Sequence, residues 1–64
     1  MKNYKIEEHH MRIVITGEEG IFEHDYKKYS RRTNVYRHFI SRTLMTYGTK
    51  AIDDIKAYEK ENLR

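Results

Sequence analysis

Between Thr33 and Gly48 the apolar residues recur at the period of an α-helix, and this stretch limits the fold more than any other. Val35, Tyr36, Phe39, Ile40, Thr43, Leu44 and Tyr47 fill one half of the helical wheel. Arg37, His38, Ser41, Arg42 and Met45 fill the other. Thr33 or Asn34 can accept the first free amides as N-cap, and Gly48 can end the helix at a positive φ. The pattern predicts a helix over about Asn34–Tyr47, with one half in need of cover.

A longer helix competes with this reading. Phe22, Tyr26, Tyr29, Thr33, Tyr36, Ile40, Thr43 and Tyr47 are spaced alternately four and three apart, which would make one continuous helix with a tyrosine seam. That arrangement sets Lys28 and Arg32 on the same side as Val35 and Phe39, and an unpaired buried charge is costly. A break near Ser30–Asn34 avoids the cost and is preferred.

The cover comes from both flanks. Met11–Thr16, MRIVIT, is rich in β-branched residues and predicts a strand with Met11, Ile13 and Ile15 on one face. Gly17-Glu18-Glu19-Gly20 reads as a turn with glycine at both ends, and Ile21–Asp25 as the returning strand. The expected hairpin pairs about Arg12–Thr16 with Ile21–Asp25. Tyr4–Glu8 alternates apolar and charged residues, and can supply a third, short edge strand. After Gly48, Thr49 can cap a second helix over about Lys50–Leu63. Ala51, Ile52, Ile55, Tyr58 and Leu63 would form its apolar stripe, and Asp53 and Asp54 its acidic first turn. Lys56 is within reach of Asp53 or Glu59. The expected architecture is α+β: an N-terminal β-hairpin, with a possible third strand, followed by two α-helices.

Sixty-four residues make a single small domain, residues 1–64. Such a chain buries about 60% of its unfolded surface, and its stability is on the order of 3–10 kcal/mol. With no cysteine to cross-link it, self-association is one way to gain burial, and a homodimer is expected. No apolar run approaches a membrane span, and the first ten residues carry no apolar core of a signal peptide. A cytoplasmic protein with no membrane contact is the expectation.

Charge is sorted along the chain. From Tyr26 to Ile52 there are seven bases and no acid, while the other residues carry six bases and ten acids. The first group is +7 and the second −4, which returns the net +3. Lys27, Lys28, Arg31 and Arg32 precede the main helix, and Arg37 and Arg42 lie on its polar half. Together they can meet a phosphate backbone, with Ser30, Asn34 and Ser41 as further donors and the interleaved tyrosines as stacking surfaces for bases. The leading expectation is therefore a non-enzymatic regulatory protein that binds nucleic acid through this face. The alternative is a protein-interaction module, a small inhibitor or adaptor of the mobile-element or phage type, because Tyr and Arg are also the residues of interface hot spots.

Other chemistry has little to stand on. His9 and His10 are adjacent and would point to opposite faces of a strand, and His24 and His38 have no helical partner at metal-ligand spacing. No nucleophile-and-base order or phosphate-binding loop is present, so neither an enzyme nor a cofactor is expected. A strand followed by two helices is similar to the ribbon-helix-helix repressors. MRIVIT, however, is apolar where base-reading residues would stand, and it lies too far from the turn at Gly48. That motif is set aside.

Overall fold

The computed structural model describes residues 3–62, and they form three strands followed by two helices. The strands are β1 (Tyr4–His9), β2 (Arg12–Gly17) and β3 (Gly20–Asp25); the helices are α1 (Asn34–Tyr47) and α2 (Thr49–Asn62). The sheet is antiparallel in the order β1-β2-β3. The α+β architecture read from the sequence is the observed one, including its third strand.

Register follows the alternation of apolar residues. Ile15 stands opposite both Ile6 and Phe22, and Ile13 opposite both Glu8 and His24. These residues share the face that the helices cover, because side chains alternate across a strand. Ile13 and Ile15 are fully buried there. α1 packs against β3, α2 packs against β1, and the helices pack against each other. The core joins Ile13, Ile15, Tyr26, Phe39, Tyr47, Ala51 and Ile55. The sheet and α2 therefore cover the inward half of α1 within one copy of the chain. Burial of seven such residues is worth roughly 1.5–3 kcal/mol for each large side chain, set against a comparable ordering cost.

The helix boundaries have visible causes. Thr33 sits at φ −92°, ψ 161°, and its Oγ1 accepts from the Tyr36 amide at 3.2 Å. Gly48, at φ 91°, donates its N–H to the Leu44 carbonyl at 3.0 Å. A left-handed residue of this kind is where glycine has least to lose.

Several local expectations need correction. Met11 is not in β2. It and His10 form the β1–β2 turn at φ 65° and 51°, so Met11 does not share a face with Ile13 and Ile15, and His10 is not on a strand. The glycines of GEEG are a paired couple, Gly17 opposite Gly20, and Glu18-Glu19 alone make the turn. Gly17 is required for a close approach: a Cβ there would lie 2.6 Å from the Tyr47 hydroxyl and 2.6 Å from the Asn3 carbonyl oxygen. Thr49 belongs to α2 rather than capping it, which moves Asp53 and Asp54 out of the first turn. Asp54 instead accepts from the Tyr4 hydroxyl at 2.6 Å and from Lys50 at 3.1 Å. Those two donors, Tyr4 first, hold its carboxyl below the usual carboxylate range. Leu63 lies outside the described residues.

Candidate functional site

The acid-free segment spans the loop from Tyr26 to Thr33, α1 and the first turn of α2. Local polar bonds build the loop. Asp25 Oδ1 accepts from the Lys27 and Lys28 amides at 2.9 and 3.4 Å, and the Asp25 carbonyl accepts from the Tyr29 amide at 3.0 Å. Ser30 Oγ accepts from the Arg32 amide at 3.2 Å, and the Ser30 carbonyl accepts from Thr33 Oγ1 at 2.9 Å. These bonds fix the backbone and leave the long basic side chains outside, with Lys27, Lys28, Arg31 and Arg32 all exposed.

On α1, Arg37 and Arg42 are exposed, as are Asn34, His38 and Ser41 between them on the wheel. Five residues correspond to about 140° of helical rotation, so the two arginines flank the outward face rather than sharing one line. Met45 is 81% exposed on the same face. Val35 and Leu44, expected on the covered half, lie at its margins with 42% and 45% exposure.

The six predicted cations are not equivalent. Arg31 Nη1 lies 3.6 Å from Glu59 Oε1, so it is partly engaged within the fold. Lys28 Nζ lies 5.7 Å from the centroid of the Tyr29 ring. Among the described residues, Lys27, Arg32, Arg37 and Arg42 have no ion pair. Elsewhere the charges are mixed: Lys5, Glu7, His9, Arg12 and Glu23 on the open face of the sheet, and Asp53, Lys56, Lys60 and Glu61 on α2.

The tyrosines go inward. The Tyr26 and Tyr36 hydroxyls both donate to Glu59 Oε2, at 2.6 and 2.8 Å, and the Tyr47 hydroxyl donates to the Gly20 carbonyl. Burial first, and then the bond to Glu59, push both the Tyr26 and Tyr36 phenols well above the ordinary range. None of these three rings is open to stack on a base. Only Tyr29, half-buried, stands near the basic loop.

Two interior groups were missed in the sequence. Glu59 is 3% exposed and closes the core between the two tyrosines. It was expected as a surface partner of Lys56, yet its place four residues after Ile55 continues the inward stripe of α2. His24 is 1% exposed, with ring centroids of Tyr26, Tyr36 and Phe39 within 4.7–5.7 Å. Its Nε2 bonds the Tyr29 carbonyl at 2.8 Å, and its Nδ1 has no partner. The alternation of Phe22 and His24 along β3 carried the signal for that burial. Among the described residues, no three His, Cys, Asp or Glu side chains converge as metal ligands, and no helix is long and apolar enough to cross a membrane.

Comparison with protein-family models, curated proteins and solved structures gives no match.

Proposed function

We propose that this chain is a non-enzymatic regulatory protein that binds nucleic acid by its phosphate backbone, using the Tyr26–Thr33 loop and the outward half of α1. The observation that carries the reading is the run of exposed cations without ion pairs, Lys27, Arg32, Arg37 and Arg42, on a surface with no acid from residue 26 to residue 52. Lys28, also exposed and without an ion pair among the described residues, and Arg31, partly engaged by Glu59, belong to the same run. Such a run of cations attracts polyanions. Because Tyr26, Tyr36 and Tyr47 are held in the core, the binding is to phosphate rather than to stacked bases and carries little sequence preference. A cytoplasmic location belongs to this reading.

Fluorescence anisotropy with a random-sequence DNA duplex at two salt concentrations tests it. Four or five phosphate contacts give a log–log slope of about −3.5 to −4.5, at −0.9 per contact. An affinity at about 150 mM salt weaker than roughly 10⁻⁴ M, the weak end of ordinary non-specific binding, would remove the reading.

One observation favours a second reading, a protein partner. Met45, Leu44 and Val35 are exposed beside Arg37 and Arg42, and apolar residues interleaved with arginine are the composition of interface cores. A homodimer would form through the same patch. Sedimentation at tens of micromolar that shows only the 7.9 kDa species removes the homodimer.

A further inference from the structure

Among the described residues, each edge of the sheet has one outward carbonyl engaged within the fold and other outward groups left open. Residues on an antiparallel strand alternate, turning their N–H and C=O groups first to one neighbour and then to the other side. The β1–β2 turn makes His9 opposite Arg12 the closing pair, so Tyr4, Ile6 and Glu8 turn theirs to the free edge of β1. There the Tyr58 hydroxyl from α2 donates to the Ile6 carbonyl at 3.3 Å. On β3, the Tyr26 amide donates back to the Met11 carbonyl at 2.9 Å. Alternation then turns His24 and Phe22 toward β2, and Glu23 and Ile21 outward. The Asp25 carbonyl, also outward, is taken by the Lys28 and Tyr29 amides. Among the described residues, no loop or helix group bonds the backbone of Ile21 or Glu23. Their two N–H and two C=O groups form an open row.

Beside that row runs a groove of about 380 Å³ between β3 and α1. Its apolar lining includes Phe22, Val35 and Phe39, with Ile21, 65% exposed, beside them. His38 and Arg42 stand along the α1 wall, and Glu23 is the one acid that lines it.

We infer that the β3 edge and this groove are a docking site for an extended segment of a partner protein whose helix-facing residues, every second one along it, are in turn apolar and acidic. A strand added to the edge satisfies the open backbone groups. Its side chains on the helix side, two residues apart, fall along α1, the apolar ones on Phe22, Val35 and Phe39 and the acidic ones on His38 and Arg42. Charge selects this occupant over the others. A second copy of the chain paired through β3 would bring two acid-free α1 helices side by side, with like charges facing. A phosphate backbone offers neither a matching row of amides nor an apolar side chain for the groove. Arg42 is shared with the proposed phosphate face, whereas Ile21, Phe22 and Glu23 belong to this site and Arg37 to that face, so each can fail without the other.

Selection from a random dodecapeptide display library, with the whole protein as bait, tests the inference. Enriched peptides should carry an apolar residue and an Asp or Glu two positions apart and lack proline. The best of them, as a synthetic peptide, should slow amide exchange at Ile21 and Glu23 and shift the amide signals of Val35, His38 and Arg42. Arg42→Glu should weaken it about tenfold or more and Arg37→Ala should not. Ile21→Pro removes an outward N–H without touching the ladder to β2, and should abolish binding. If that variant fails to fold, methylating the peptide's own edge-facing amides serves instead. The inference is overturned by a selection without acidic peptides or without binders, or by binding that leaves the Ile21 and Glu23 amides unchanged. A dimer of the free protein with those amides protected would give the edge to a second copy, and protection by duplex DNA would give it to nucleic acid; either also overturns it.

Discussion

α1 and α2 are both fourteen residues long, and they differ most in where their charges go. α1 has no acid, and its inward side presents Tyr36, Phe39, Thr43 and Tyr47. α2 carries acids and bases together, and its inward side presents Ala51, Ile52, Ile55 and Glu59. The one acid in the core of α2 meets the phenol of α1 and that of the loop before it. On the outside, Lys50 and Asp54 of α2 pair at 3.1 Å, whereas Arg37 and Arg42 of α1 have no ion pair among the described residues. α2 thus mixes acids and bases along its own length, whereas α1 carries bases alone, left for something outside the fold.

The sharpest contrast should appear within α1 itself. Phe39 is 5% exposed and packs on His24 with ring centroids 5.7 Å apart. Phe39→Ala should cost about 3–5 kcal/mol in urea denaturation, most of the stability of a domain this size. Met45→Ala, on the opposite side, should stay within about 0.5 kcal/mol. Equal effects would mean that the helix is rotated from the position described.

Glu59 should come next. Glu59→Ala leaves the Tyr26 and Tyr36 hydroxyls without their acceptor, and should cost about 2–4 kcal/mol. Glu59→Gln keeps a carbonyl oxygen at the same place and should cost less. Wild-type melting in the alanine variant would show that the joint between the helices does not depend on this acid.

The same joint sets a response to alkali. Both phenols titrate higher in the fold than in the unfolded chain, where tyrosine titrates near pH 10. Folding therefore favours their protonated form. This stability is fully present below about pH 10 and is lost as pH rises beyond it, by up to about 1.4 kcal/mol per pH unit for each phenol. Tyrosinate absorbance should show Tyr26 and Tyr36 ionising only as the protein unfolds. Early ionisation of all six tyrosines would contradict the buried cluster.

What the sequence showed and what it hid divides along the same physical lines. α1 was legible to the residue because period, cap and stop agree at Thr33 and Gly48. The β2–β3 hairpin was legible because its turn is bracketed by glycines. The β1–β2 turn was not, because His10 and Met11 take left-handed φ angles without glycine or asparagine to announce them. Glu59 was hidden because an acid on a helix reads as surface until a second element brings it a donor. The basic residues were legible as charges, but which of them the fold engages depended on the loop, and only Arg31 meets Glu59. The hidden turn yields a prediction of its own. A left-handed conformation costs a non-glycine residue roughly 1–2 kcal/mol, so Met11→Gly should raise stability by about 1 kcal/mol, unlike most glycine substitutions. A lower melting temperature would show that the Met11 side chain holds more than its exposure suggests.

The smallest effect on stability should accompany the clearest effect on binding. Arg37 of α1 and Lys56 of α2 are both exposed, and both lack an ion pair among the described residues. Replacing either with alanine should leave urea denaturation within about 0.5 kcal/mol. The neighbours of Lys56 on its helix include Asp53 and Glu59, whereas Arg37 has no acid on its own helix. If phosphates gather where carboxylates are absent, Arg37→Ala should lower the salt-dependence slope for duplex DNA by about one unit, since one fewer counterion is released. Lys56→Ala should leave that slope unchanged. Equal losses from the two variants would mean that the net charge of +3 attracts the duplex, rather than the face on which the charge is sorted.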